Sequence, residues 1–343
     1  MDVNAQPGGY PCRVDSVQSL YGMTVEKVTS IFENATSPKA SSGFLIYLNN
    51  VVYIMLLRIT GFAIMLLSVF GGFVLASGKL LALWQPPEII IIVGAATGAF
   101  IISNPASVQR MTLVHLKYVL FKNKEFDKQF FMDLLALLFR LMDQQRRKGQ
   151  SAIEDDIEAP DNSELFLGYP RILSHPRLLS FITDNFRITG MGNMATHALE
   201  GLMDHEIHTL GQDLGRPAKA LQAVADACPG FGIVAAVMGI VVTMSSMGGP
   251  VELIGMKVAA ALVGTFLGIL LCYGVVGPLA SAVEHTEKNE MLAFDCIKVA
   301  LVTSQSGQPA IIAVDAGRRT LYKELRPTFA ELETLVQATR ETT

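Results

Sequence analysis

Four stretches without one charged residue constrain this chain more than anything else in it: 59–78, 89–109, 227–251 and 258–283. Each matches the roughly 20 residues a helix needs to cross the hydrocarbon core. Lipid offers a backbone no hydrogen-bond partners, so a spanning segment satisfies its own, which a helix does. The stretches come in pairs, with a long polar segment between the pairs and a polar tail after the second. The expected fold is therefore all-α, a polytopic inner-membrane protein with four transmembrane helices and a large helical cytoplasmic domain. The boundaries follow: membrane helices over 55–78, 86–106, 227–248 and 257–281, a cytoplasmic domain over 107–226 and a cytoplasmic tail over 282–343.

Composition agrees. Half of the 343 residues are hydrophobic, only 17% are charged and the mean hydropathy is +0.39; a soluble domain carries about 25% charge. With 27 Lys and Arg against 31 Asp and Glu, the net charge of −4 excludes a nucleic-acid binder built on a positive field. The four cysteines (Cys12, Cys228, Cys272, Cys296) lie too far apart for a zinc ribbon or a dense disulfide scaffold. About half of the basic residues fall between Arg110 and Lys219, while the links joining each pair of spans hold only Lys79 and Lys257. The positive-inside rule then puts both termini and the large loop in the cytoplasm. Trp84, the only tryptophan, sits in the first external link, where an interfacial anchor is the ordinary reading.

Residues 1–54 do not fit the rest. They are polar, lack the basic start and apolar run of a signal peptide, and read as a flexible extension with one short helix over Tyr21–Glu33. Within the large loop, residues 130–148 (FFMDLLALLFRLMDQQRRK) place apolar side chains at helical spacing and end on a basic cluster suited to a helix C-terminus. Gly149 is the expected stop. An acid-rich stretch follows from Glu154 to Glu164. Residues 180–209 read as a helix broken near 190–192, and the tail reads as helices over 291–303 and 316–339. No strand alternation is present.

The most informative property of the spans is what they lack. Proton relays and pumps use ionisable groups inside the membrane, and the four stretches contain none. They offer small and hydroxyl residues instead: Gly94 and Gly98, Gly264 and Gly268, Thr97, Thr243, Thr265 and Ser245. Small residues four apart let helices approach closely. Such a chain packs and lines a path, and a partner supplies the titrating group. Pro229 and Pro278 lie in the last two spans. Each is either a kink that frees a carbonyl to line a path or, for Pro229, an ordinary first-turn proline. No nucleophile–base pair, phosphate-binding loop or metal cluster stands in a plausible context. His197, His205 and His208 raise the thought of a metal, but no fitting ligand geometry is in view and none is expected. The chain reads as a non-enzyme with no cofactor.

Segments on both sides of the membrane carry a resemblance: LWQPPEIIIIVGAATGAFI (83–101), FMDLLALLFRLM (131–142), YPRIL (169–173), ALEGLMDHEIH (198–208), CPGFGIVAAVMGIV (228–241), ALVGTFLGILLCYGVVGPLA (261–280) and AVDAGRRTLYKELRPTFAELE (313–333). Together they resemble the MotA family of flagellar motor stator subunits, from about Leu56 to the C-terminus. Members of the wider superfamily, ExbB and TolQ, share the Gly/Thr-rich last two spans but not the long helical loop. The resemblance implies a homo-oligomer, a pentameric ring around two MotB-type subunits anchored to peptidoglycan. Each of those brings a membrane Asp that carries the ion. It also implies a rotor partner, FliG, a setting in membrane lipid and no nucleic acid. Residue by residue, Pro229 and Pro278 match the prolines that couple ion flow to shape change, and Thr265 matches the threonine facing the ion path. Ala236 stands where sodium-driven relatives carry threonine, which favours H+ as the transported ion. Arg146 and Glu154 match the charged pair that engages the rotor, and Glu206 a further family charge. Family members begin close to the first span, so the expected native start lies near Met55. The rival expectation is an ExbB/TolQ-type energiser of outer-membrane transport.

Overall fold

The computed structural model describes residues 38–121, 126–192, 194–245, 248 and 250–341. The short helix expected over Tyr21–Glu33 lies outside them. The chain divides into two units, 1–67 and 68–343. Helix α1 (Pro38–Leu75) begins in the first and ends in the second. The helix thus reaches back to Pro38, through residues the sequence reading gave to the extension. From Leu56 onward α1 leaves large apolar side chains exposed, Leu67 and Leu75 among them, as a lipid-facing helix does. In the second unit its last turns meet the bundle through an edge-to-face contact between Phe70 and Phe266.

Among the described residues of the second unit every regular element is helical. A 3₁₀ turn (Leu80–Leu83) leads to α2 (Pro86–Ser103), whose two leading prolines fit the first turn, where no backbone donor is needed. After α3 (Ala106–Phe121) comes α4 (Lys128–Lys148), capped by Asp127, whose carboxylate accepts from the Phe130 N–H. Gly149 ends α4 at φ +86°, a conformation that favours glycine. Helices α5 (Ser151–Glu158), α6 (Glu164–Leu167), α7 (Pro170–Leu173), α8 (Pro176–Gly190) and α9 (Thr196–Leu214) complete the loop. The break expected near 190–192 falls at Gly192, φ +129°.

The last two spans differ from the sequence expectation in length. The third belongs to α10 (Arg216–Met244), a single helix that starts eleven residues before the uncharged stretch. The fourth is α11 (Val251–Leu271), which passes through a π-helical turn (Cys272–Val276) into α12 (Gly277–Gln305). Both spans therefore leave the apolar zone as continuous rods. Helices α2, α10 and α11 pack together at the membrane end, and α12 carries α9, α13 (Ala310–Arg318) and α4 at the other.

The core of that second part is aromatic. Helix α4 is buried nearly all round, with Phe130, Phe131, Leu134, Leu135, Leu137, Leu138 and Leu141 inaccessible, because neighbours cover it on most sides. Phe181 of α8 meets Phe294 of α12 edge to face at 5.1 Å. The stretch expected to be one helix over 316–339 is divided between two helices. Arg318 ends α13 by donating to Asp315 and, at 2.8 Å, to the Pro327 carbonyl. A reciprocal cap between Thr328 and Glu331 then starts α14 (Phe329–Glu341).

Candidate functional site

Helices α10 and α11 meet along a close seam, and glycine makes it possible. A Cβ at Gly232 would stand 2.8 Å from the Gly264 carbonyl oxygen and 3.1 Å from the Gly268 Cα; one at Gly268 would stand 2.7 Å from the Cys228 carbonyl oxygen. Gly239 faces Ala261 in the same way. These distances leave no room for any side chain, so the two backbones touch, as small residues allow in a membrane. The pairing expected of Gly264 and Gly268 is thus real. A Cβ at Gly94 or Gly98 meets nothing within 4 Å.

Along this seam lie three of the four residues assigned to the ion path and its coupling. Ala236 is buried against Gly264, Thr265 is half-buried with its Cα 3.3 Å from the position of a Gly232 Cβ, and Pro229 follows Cys228, whose carbonyl caps Gly268. Most of the hydroxyls picked out from the sequence are spent on their own helices: Thr97 donates to Val93 O, Thr243 to Gly239 O and Ser245 to Val242 O. The Thr265 hydroxyl makes no hydrogen bond among the described residues, which leaves it able to coordinate.

Pro229 is not a first-turn proline: it lies inside α10, thirteen residues from Arg216. An interior proline has no N–H, so the Ala225 carbonyl loses its helical donor at a buried position. Pro278 is exposed, at the second position of α12. Upstream of it the Gly277 N–H reaches back five residues to Cys272 O, the bond that makes the π turn. Gly277 is required there, since a Cβ would lie 2.8 Å from that oxygen. Each of the two prolines thus marks a weakened point in a rod that joins the membrane end to the cytoplasmic core.

The residues assigned to the rotor interface are split. Arg146 and Glu154 are exposed on either side of the Gly149 turn, on α4 and α5. Neither has a hydrogen bond or ion pair among the described residues, whereas their neighbours do: Arg147 pairs with Asp143 at 2.9 Å and Arg187 with Glu158 at 3.0 Å. Glu206 is different. It is half-buried on α9 and accepts from Asn185 Nδ2 of α8 at 3.4 Å. Burial pushes its carboxyl above the usual range, against the lowering effect of Asn185. Among the described residues no group of His, Cys, Asp and Glu side chains is placed to hold a metal ion.

Sequence reasoning missed one feature. Glu287 of α12 is buried, with its Oε1 3.6 Å from His115 Nδ1 of α3. The signal was legible: Ala280, Val283 and Glu287 follow helical spacing, so a carboxylate occupies an apolar-face position.

Two family models match the chain: Motility protein A N-terminal over residues 59–149, and the MotA/TolQ/ExbB proton channel family over residues 180–295. Chemotaxis protein LafT of Vibrio parahaemolyticus is 43% identical over 276 residues, covering 80% of this chain and 96% of LafT. Motility protein A of Salmonella typhimurium is 44% identical over 285 residues, 83% of this chain and 96% of that protein. Two solved structures share the fold. One is of Campylobacter jejuni MotAB, with a TM-score of 0.60, 16% identity and coverage of 78% of this chain and 95% of its own. The other is the flagellar MotAB stator complex of Bacillus subtilis, with a TM-score of 0.57, 21% identity and coverage of 80% and 98%.

Proposed function

The chain belongs to the MotA family, within the MotA/TolQ/ExbB proton channel family, and on that premise we propose that it is a stator subunit of the bacterial flagellar motor, converting ion flow into torque with a MotB-type partner. The observation that carries the mechanism is the continuity of α10 and of α11–α12 from the glycine seam into the cytoplasmic core. A shift at the seam has a continuous helical route to the rotor-facing part.

In this reading several copies of the chain, five by family likeness, surround the partner in the inner membrane, with both termini in the cytoplasm. The partner brings the ion-carrying Asp, since the uncharged stretches here have none. A proton reaches that carboxylate beside Thr265 and Ala236 and removes the cost of holding its charge in a low-dielectric site. The subunits then prefer another arrangement and hinge at Pro229 and at the π turn before Pro278. Arg146 and Glu154, exposed and unpaired among the described residues, engage complementary charges on the rotor protein FliG. Charges of this kind register and steer contact more than they add affinity. One proton crossing about 150 mV releases roughly 3.5 kcal/mol at ~2.3 kcal/mol per 100 mV, enough to bias a two-state element by more than a hundredfold.

Deleting the gene tests the reading. Flagellated but paralysed cells, restored by the gene in trans, support a stator. Restored cells that keep swimming when potassium replaces sodium support H+. Normal swimming after deletion, combined with defective energised uptake across the outer membrane, would support the ExbB/TolQ-type alternative. That alternative is not favoured, because the relatives above 40% identity are motility and chemotaxis proteins.

A further inference from the structure

Glu287 stands where a charge is costly. It is 4% exposed, one turn beyond Val283, the last residue of the fourth uncharged stretch. Its Oε1 is buried and makes no hydrogen bond among the described residues; the His115 Nδ1 atom is 3.6 Å away, too far for one. A carboxylate kept only for structure would be satisfied by donors.

Its position between two cavities explains what it is kept for. On one side lies a hollow of about 380 Å³ between α9, α10 and α12, lined by Lys219, Glu284 and Lys288 among others. On the other lies one of about 190 Å³ between α3 and α12, lined by His115, Tyr118, His175 and Glu290 among others. Among the described residues Glu287 is the one that lines both. Both hollows are large enough for water, and each has titratable side chains in its wall. A titratable group between two spaces that admit water can take a proton from one and release it into the other, with an imidazole beside it as a second carrier.

We infer that Glu287, assisted by His115, is a proton-relay site at the cytoplasmic mouth, through which protons leaving the membrane path reach bulk water. The inference rests on the proton-driven stator reading. The proton that neutralises the partner's carboxylate at the seam leaves on the cytoplasmic side as the carboxylate is restored. Glu287 accepts it at Oε1, and it passes through His115 or directly to water in the hollows. Nothing is consumed and the charge balances at each transfer. The site lies nine residues past Pro278 on the same rod, about 13 Å at 1.5 Å per residue. Proton release is thereby placed close to the hinge that its arrival actuates.

The test complements the deletion strain with the wild-type gene, Glu287→Gln, Glu287→Asp and His115→Ala. Rotation of single motors is followed at high load and near zero load, in H₂O and D₂O. It is repeated with the cytoplasm acidified by a membrane-permeant weak acid at fixed external pH. Glutamine keeps the shape and cannot relay. Expected are normal membrane levels and near-normal stall torque for Glu287→Gln, since the driving force is unchanged. Zero-load speed should fall tenfold or more, at the low end of what acid–base groups contribute, and lose its response to cytoplasmic acidification. Aspartate should restore part of the speed, and His115→Ala should shift the acid response without stopping rotation. If the deletion paralyses cells yet Glu287→Gln restores full zero-load speed with a wild-type acid response, the relay is wrong and the stator reading stands. If Glu287→Gln and Glu287→Asp lose stall torque and speed together, Glu287 is structural and the relay is likewise wrong. If the deletion strain rotates normally, the stator reading falls and takes the relay with it.

Discussion

Replacing Gly268 by alanine tests the backbone contact on which the seam depends. The new methyl would lie 2.7 Å from Cys228 O, 2.9 Å from Gly232 Cα and 3.2 Å from Gly232 N, all backbone atoms that cannot rotate away. Ordinary contact begins near 3.4 Å, so α10 and α11 must part by about 0.7 Å (3.4 − 2.7). A gap of that size forfeits a quarter to a half of each dispersion contact along the seam, and overpacking of this kind costs about 1–3 kcal/mol. Gly255→Ala makes the identical chemical change in the same helix, where a Cβ meets nothing within 4 Å. There alanine should stabilise by up to ~1 kcal/mol through helix propensity. The two variants should thus differ by about 1–4 kcal/mol. At roughly 2 °C per kcal/mol for a chain of this size, their unfolding midpoints in one detergent should lie about 2–8 °C apart, Gly268→Ala being the lower. Equal midpoints would refute the argument that this seam is closed by backbone contact.

Other outcomes follow from the same geometry. Pro229→Ala removes an interior proline, so the purified chain should become more stable, by up to ~3 kcal/mol in a thermal melt, while motors built from it lose torque; normal torque would remove Pro229 as a hinge. Asp315→Asn strips a buried Arg318, held by bonds of 2.6 and 2.8 Å, of its counter-charge and should cost about 3–5 kcal/mol, read as a lowered melting midpoint. Acid should loosen the tail by the same logic. Burial pushes the Asp315 carboxyl up, but hydrogen bonds from Arg318 and Arg319 more than offset it and hold it below the ordinary range. The bond from Lys128 brings exposed Glu331 down to about 2. Both are acids with depressed folded values, so their contribution is complete above the unfolded value near 4 and is lost as pH falls through the folded one. The protection of α14 amides, taken relative to their intrinsic exchange rate at each pH, should therefore stay flat from pH 8 to about 5 and fall below about 4. Arg146→Glu changes an exposed charge, so stability should shift by less than ~0.5 kcal/mol. Torque should drop and recover when the facing rotor charge is reversed, and failure of every reversal would make Arg146 an ordinary surface residue.

The sequence was most legible where one short-range rule dominates. Absence of charge over some twenty residues marks a spanning helix whatever surrounds it, because desolvating a charge in lipid costs too much. The apolar period of residues 130–148, with Gly149 after it, marks α4 because its side chains have no other way to be buried together. Gly264 and Gly268 announced close packing by their spacing, yet at Gly94 and Gly98, equally spaced, a Cβ meets nothing within 4 Å among the described residues. Small size permits an approach, and only a neighbour decides whether it happens. The lengths of the rods were hidden for a related reason. Residues 216–226 are polar enough to read as loop, but they continue α10 because α3 and α12 pack on them, and tertiary burial outweighs local preference. The end of the tail helix was hidden too, since the Arg318–Pro327 bond joins residues nine apart. Glu287 shows the limit most clearly. Its apolar-face position could be read from spacing, but that it parts two cavities beside His115 depends on α3, α9 and α10 converging on one turn of α12. No local pattern encodes that convergence, because it is settled by packing among helices distant in the chain.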